Sequence, residues 1–387
     1  MDASINRRAW IRKTALAAGG TALLPSVWNE LAAAPAITRK KNFVSDADFA
    51  RRVPPDLKAR LFANENPFGP SAAAKKAIVD SIDIGYRYPF QFEDELTKKI
   101  AEQEGLKENM IRLGAGSSSL LYAAAAYFSK AGGNVISADP SYDDLPDTAE
   151  ALGAKWIKVP LTAEYKLDLD AIEKAIDAST RLVYICNPNN PTGTSVDTAR
   201  LKAFCERLSP KTMVFVDEAY IDYLPDPKAA SMIDLVQKGT NILVARTFSK
   251  LYGFAGLRVG YLVGNPDLLK KMEEYCIGAS GLSVTSLKAA LASYGDQAFL
   301  SDALQKTNAS KDFLYKTLKE QGYDYIPSDT NFVLFPINME GQRFAMEMFK
   351  RGVGLRHWKF NNKNWCRVSI GRMDEMEAFA AAFKEIS

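Results

Sequence analysis

Lys250 is the residue of this 387-residue chain whose setting most invites covalent chemistry. It stands in Arg246-Thr247-Phe248-Ser249-Lys250-Leu251-Tyr252-Gly253-Phe254-Ala255-Gly256-Leu257-Arg258, after small hydroxylated residues and before a glycine-punctuated turn. A lysine that captures an aldehyde must reach it from a short, glycine-relieved segment. It also needs cationic neighbours or a desolvated site to hold a neutral amine. Thr247, Ser249 and Arg258 supply two hydroxyls and a forked guanidinium, a set suited to phosphate. A Ser-Lys pair alone is most often a solvated loop lysine, so the rest of the chain decides its meaning.

Other chemically suggestive stretches follow short apolar runs. Asn187-Pro188-Asn189-Asn190-Pro191-Thr192-Gly193 follows Leu182–Ile185. Its prolines fix φ, and its asparagines can bond their own backbone or a ligand. Asp217-Glu218-Ala219-Tyr220 follows Met213–Val216, and a carboxylate there can pair with a protonated pyridine nitrogen. Gly114-Ala115-Gly116-Ser117-Ser118-Ser119 follows Ile111–Leu113 and opens a helix, whose first amides favour anions. Tyr142, after Asn134–Ala138, can lie on a ring face. Aldehyde capture, phosphate binding and a partner for a ring nitrogen together point to pyridoxal 5'-phosphate.

The elements that must position these residues read as α/β. Runs at Trp156–Val159, Ile242–Val244 and Tyr261–Val263 join those above, interleaved with helical patterns at Leu120–Phe128, Leu169–Ile176 and Thr198–Leu208. Such alternation predicts βαβ units and a mainly parallel sheet, which holds ligands at the carboxyl ends of its strands. Ser71 caps a predicted helix running to about Ile82. Beyond about Tyr275 the helices lengthen, and a βαβ-like piece (Asn331–Phe335, Phe344–Lys350, Cys366–Ile370) suggests a second, smaller domain. The expected division is a signal peptide over 1–36, an arm over 37–70, a large cofactor-binding domain over 71–275 and a small α/β domain over 276–387.

Composition is ordinary for a globular chain, 47% hydrophobic and 25% charged, with a net charge of +3. Residues 1–36 hold Arg7, Arg8, Arg12 and Lys13 against Asp2 and Glu30; without them the basic and acidic counts are 45 and 44. That balance gives no nucleic-acid footprint. Four scattered cysteines without a CxxC suggest buried thiols rather than a disulfide framework or zinc site. The single histidine, His357, excludes a His-based triad or multi-His metal centre, so no metal is expected. Asn6-Arg7-Arg8-Ala9-Trp10-Ile11-Arg12-Lys13 resembles a twin-arginine export signal. The mildly apolar Thr14–Leu24 follows, then a small-x-small site at Ala34-Pro35-Ala36. The expectation is a protein folded in the cytoplasm, carried by the twin-arginine translocase and released to the periplasm or beyond.

From about Leu61 to its C-terminus the chain resembles the fold-type I pyridoxal-phosphate enzymes of aminotransferase class I/II, and among them the histidinol-phosphate aminotransferases. The likeness rests on Ala63-Asn64-Glu65-Asn66-Pro67-Phe68-Gly69-Pro70, Tyr88-Pro89, the Asn187–Gly193 run, Asp217–Tyr223, Thr247–Tyr261 and Asn331-Phe332-Val333-Leu334. The resemblance implies that Lys250 forms the Schiff base and shuttles the proton, and that Asp217 pairs with the pyridine nitrogen. It implies that Asn190 and Tyr220 meet the ring hydroxyl oxygen and that Tyr142 stacks on the ring. Ser117, Ser118, Ser249 and Arg258 hold the phosphate in this reading, and Thr247 stands with them among the cofactor-binding residues. Tyr88 reaches the phosphate of a neighbouring subunit, hence a homodimer with shared sites. Asn66, Arg356 and Arg367 lie on the substrate side, Arg367 gripping an anionic end with Arg356 assisting. The implied partners are an amino donor and a 2-oxo acid. Two stretches depart from the pattern: Ser118-Ser119 stands where an acidic pair is usual, and Gly278-Ala279-Ser280-Gly281-Leu282 replaces a Pro-Tyr segment.

Other readings remain open at this level. A dinucleotide-dependent oxidoreductase accounts for Gly114-Ala115-Gly116 and Asp139, but Ser119 replaces the third glycine, and Lys250 is left unexplained. A lyase on the same scaffold, like the threonine-phosphate decarboxylases, shares the cofactor residues. A non-catalytic binding protein has no use for an electron sink built from Lys250 and Asp217.

Overall fold

The structure, a computed structural model, describes residues 57–386. The export-signal reading of residues 1–36 lies outside them. In chain order the strands are β1 (Ala59–Arg60), β2 (Ile111–Gly114), β3 (Asn134–Asp139), β4 (Lys155–Pro160), β5 (Thr180–Cys186), β6 (Met213–Asp217), β7 (Ile242–Thr247), β8 (Gly260–Val263), β9 (Phe332–Ile337), β10 (Val353–Gly354), β11 (Arg356–Phe360) and β12 (Lys363–Ser369).

Seven strands form one sheet in the order β2-β8-β7-β6-β5-β3-β4. The run from β7 to β4 is parallel, and β8 is antiparallel to both β7 and β2. The sequence expectation of a mainly parallel sheet therefore holds, with an antiparallel edge. The period-2 alternation of each strand feeds two cores. Val183, Ile185, Val214, Val216, Ile242 and Val244 pack on one face. Leu182, Tyr184, Met213, Phe215, Leu243 and Ala245 pack on the other. Strands covered on both faces read as continuous apolar runs, which is why these segments were legible. Their carboxyl ends carry Cys186, Asp217 and Thr247, the edge at which such sheets bind ligands.

Helix ends follow their caps. Ser71 accepts from the amide of Ala74 and starts Ala72–Asp80, which stops before Ile82. Asp197 caps Thr198–Leu208. The helix after Asp168 ends at Lys174, two residues short of the expected end.

The C-terminal piece departs from its expected βαβ form. β12 runs antiparallel to both β9 and β11, in the order β11-β12-β9. β11 was missed because Arg356-His357-Trp358-Lys359-Phe360 offers no apolar run. Val333, Phe335, Cys366 and Val368 face a core with Phe344, Phe379 and Phe383. Phe332, Leu334, Trp365 and Arg367 alternate with them and face the other way. Ala59 and Leu61 join the same C-terminal core, and β1 pairs in parallel with β10.

Candidate active site

A cavity of about 430 Å³ opens at the carboxyl ends of the large sheet. It is lined by Ser117, Ser118, Tyr142, Asn190, Asp217, Tyr220, Thr247, Ser249, Lys250 and Arg258, and also by Asn64, Cys186 and Arg60. Ten residues chosen from sequence thus meet in one place.

Lys250 is presented by a hydroxyl-braced turn. The Ser249 amide donates to Thr247 Oγ1 at 3.1 Å, and Thr247 Oγ1 donates to Ser249 Oγ at 3.0 Å. Gly253, at φ 74°, closes the turn; a Cβ there would sit 2.7 Å from the Gly69 Cα. Lys250 Nζ lies 5.2 Å from the centre of the Tyr220 ring.

One end of the cavity suits a phosphate. The helix Ser117–Ser129 begins after Gly116 without a side-chain cap, so its first amides are available. Arg258 Nη1 donates to Ser249 Oγ at 3.1 Å and to the Ala255 carbonyl at 3.0 Å, and Nη2 to the Ala115 carbonyl at 3.4 Å. No carboxylate pairs with Arg258 among the described residues. A guanidinium, two hydroxyls and a helix N-terminus converge there, which is an anion site by charge and by donors.

At the other end lies Asp217, almost wholly buried at 2% exposure. The Tyr184 hydroxyl donates to its Oδ2 at 2.9 Å and the Ala219 amide to its Oδ1 at 3.1 Å. Burial pushes its carboxyl up to about 6, against the pull of those two donors and of Lys250. A buried carboxylate so held is stabilised by a cation brought alongside, such as a protonated ring nitrogen. Tyr142 lies between these ends, its hydroxyl donating to Asp144 Oδ2 at 2.6 Å, and burial raises its phenol well above the usual range. An anion cradle, a lysine and a buried carboxylate lining one cavity suit pyridoxal phosphate.

The second sheet reaches the cavity through Asn190. Arg367 is buried at 1% exposure. Its Nη1 donates to Asn190 Oδ1 at 2.6 Å and its Nη2 to the Phe62 carbonyl at 2.8 Å, while its Nε is buried without a partner. Burial lowers its pKa to about 10. Asn190 thereby commits its carbonyl end to Arg367, leaving its NH₂ to serve a ligand. Arg356 stands opposite Arg367 in the β11–β12 register.

Four predicted residues do not line the cavity: Arg356 and Arg367 on the second sheet, and Asn66 and Tyr88. Asn66 donates to the Leu251 carbonyl at 2.6 Å and accepts from the Phe68 amide, so its amide braces the residue after Lys250 rather than facing a ligand. Tyr88 is 73% exposed and stacks on Phe90 at 5.8 Å. Sequence reasoning also missed contributors. Tyr184 was absorbed into the apolar run around it. Asn64, at φ 52°, donates to the Tyr220 hydroxyl at 2.9 Å, and its Oδ1 accepts from Ser369 Oγ at 2.7 Å. Its signal was its type, since asparagine tolerates the left-handed region.

Residues 58–383 match the family model described as aminotransferase class I and II. The chain is 33% identical over 329 residues to the histidinol-phosphate aminotransferase of Moorella thermoacetica, covering 84% of this chain and 85% of that one. It is 36% identical over 320 residues to the aromatic amino acid aminotransferase of Mycolicibacterium vanbaalenii, covering 83% and 90%. Among solved structures it is similar to the histidinol-phosphate aminotransferase of Sinorhizobium meliloti in complex with pyridoxal-5'-phosphate, with a TM-score of 0.80 and 26% identity over 91% of this chain and 96% of that one.

Proposed function

The chain belongs to the aminotransferase class I and II family, and we propose that its amino donor is an amino acid or amino-phosphate whose acid group is gripped by Arg367. It is a pyridoxal-phosphate enzyme that moves amino groups between an amino donor and a 2-oxo acid. When bound, the cofactor supplies the aldehyde that takes up the amino group and the ring that accepts electron density from the substrate Cα.

The chain's own residues do the rest. Ser117, Ser118, Thr247, Ser249 and Arg258 bind the phosphate, with donors already fixed before it arrives. Asp217 keeps the ring nitrogen protonated, and Tyr184 and the Ala219 amide hold that carboxylate in place. Tyr220 and Asn190 donate to the ring oxygen, Tyr220 being held by Asn64. Lys250 Nζ carries the proton from the substrate Cα and returns it. Tyr142 covers one ring face. Arg367 orients the substrate so that the bond to be broken stands across the ring.

The observation that carries this reading is the buried Arg367 guanidinium beside Asn190, with Nε unpartnered and no described ion pair. A buried cation in that state is stabilised by an anionic ligand. Relatives called histidinol-phosphate and aromatic amino acid aminotransferases bracket the donors to try first. The exposed Tyr86, Tyr88 and Phe90 support a homodimer in which Tyr88 serves the partner's phosphate. The paired arginines support export of the folded holoenzyme to the periplasm.

The test is a screen of amino donors against 2-oxoglutarate and pyruvate, with keto acid and carbon dioxide both assayed. Donors bearing carboxylate or phosphate are expected to turn over, with keto acid as the product. Equal turnover of amines without an anionic group overturns the Arg367 reading. Carbon dioxide in place of keto acid makes the enzyme a lyase toward that substrate.

A further inference from the structure

The face of the small sheet turned away from its core carries a row of cations and aromatic rings. In the β11–β12 register Arg356 stands opposite Arg367, and Trp358 opposite Trp365. Directly opposite residues share a face, and so do alternate residues along a strand. Two guanidiniums are therefore held as cross-strand neighbours, an arrangement in which like charges repel. Arg367 is buried and Arg356 half-buried. Arg356 is lowered to about 9, first by burial and then by the charge of Arg367.

One side chain touches both. The Trp358 ring centre lies 4.8 Å from the guanidinium carbon of Arg356 and 4.6 Å from that of Arg367. These distances are those of cation–π contact, for which indole is the best partner among the aromatic side chains. Arg367 also lies 5.2 Å from the centre of the Phe332 ring. The arginine that binds Asn190 is thus braced by rings rather than by a carboxylate. A carboxylate would neutralise it and compete with a ligand; an aromatic face steadies the cation and leaves its charge for substrate.

We propose that Trp358 is the positioning residue for the substrate's acid group, its indole holding the Arg356 and Arg367 guanidiniums together so that both converge on one anion. This rests on the reading of Arg367 as the substrate anchor. Trp358 acts through the two arginines and does not touch the reacting atoms. Its effect therefore falls on substrate capture and not on the cofactor.

The test uses the holoenzyme and its best anionic donor from the screen. Trp358→Leu keeps an apolar side chain and removes the ring; Trp358→Phe keeps a ring. Trp358→Leu is expected to raise KM for that donor by about 10-fold or more, with kcat changed by less than about 3-fold and cofactor absorbance intact. Trp358→Phe is expected to recover most of the loss. Inhibition by inorganic phosphate, as a bare anion probe, should weaken in parallel in the Leu variant only. An unchanged KM in Trp358→Leu overturns the proposal, as does equal loss in the Phe and Leu variants. Loss of cofactor absorbance along with activity overturns it too, since that marks a general structural role. A parent enzyme with no preference for anionic donors removes the Arg367 reading itself, and the proposal with it. A parent with that preference beside an unaffected Leu variant removes Trp358 alone.

Discussion

Arg367 and Asn190 are 177 residues apart in sequence and joined by a 2.6 Å hydrogen bond between the two sheets. Asn190 lines the cofactor cavity, and Arg367 belongs to β12 of the small sheet. The residue proposed to grip substrate is thus tied directly to one proposed to meet the ring. Arg367→Ala is expected to lower kcat/KM for anionic donors by about 10-fold or more, at least ~1.4 kcal/mol of transition-state stabilisation. Cofactor absorbance should persist, because the phosphate cradle and Asp217 are untouched. Steady-state kinetics with anionic and non-anionic amines checks this.

Lys250→Ala should abolish turnover while leaving thermal unfolding close to that of the parent. Its amine makes no described hydrogen bond or ion pair, so removal leaves no partner orphaned. Near-normal turnover in this variant would sink the assignment of the amine as the reacting group.

The proposed phosphate cradle depends on a missing side chain. A Cβ on Gly116 would lie 2.0 Å from Arg258 Nη2, and Gly116 adopts φ 73°. Gly116→Ala should strain the backbone and push the guanidinium aside. Affinity for pyridoxal phosphate is expected to fall by about 10-fold or more, on the order of 1.4 kcal/mol. Absorbance titration of the cofactor-free protein measures it, and unaltered affinity would show that Arg258 does not bind the phosphate.

Asp217 gives the cofactor-free protein a pH signature. Burial raises its carboxyl from 3.8 to about 6, so the folded chain binds this proton more tightly than the unfolded one. The associated stability is complete below about pH 4 and is lost as pH rises through about 6. Asp217→Asn cannot lose it. Between about pH 4 and 7 the variant should gain on the parent by roughly 1–3 kcal/mol in denaturant unfolding without cofactor. Asp222, raised to about 6 by burial, is common to both proteins and cancels in the comparison. With cofactor present the same substitution should cost activity, since the ring nitrogen loses its anion.

Arg7→Lys combined with Arg8→Lys should retain the protein in the cytoplasm, because the pair is read by a receptor and not by charge. Fractionation that finds as much periplasmic protein as before would refute the export proposal.

The parallel part of the large sheet was legible because its strands are apolar on both faces and end in polar turns. The candidate site residues were legible because they cluster in those turns: Asn190 after β5, Asp217 at the end of β6, Lys250 after β7. The rest was hidden for physical reasons. β11 is stabilised by pairing to β12 and by its rings, and period alone does not reveal a strand spelled with arginine, histidine and lysine. Asn66 has the right neighbours but spends its amide on the Leu251 carbonyl, which only coordinates disclose. Tyr184 looked like core, and it is core except for one hydroxyl aimed at Asp217.

The alternation along β12 sets how this enzyme can change. Cys366 and Val368 face the core while Arg367 and Ser369 face the site. A slip of one residue would exchange the two sets, turning the arginine into the core and the thiol toward substrate. Insertions or deletions in the turn between Phe360 and Lys363 are therefore tolerable only if they leave the strand's phase intact. New substrate preferences on this side are open to point substitution at alternate positions, and closed to changes in loop length that shift the strand by one.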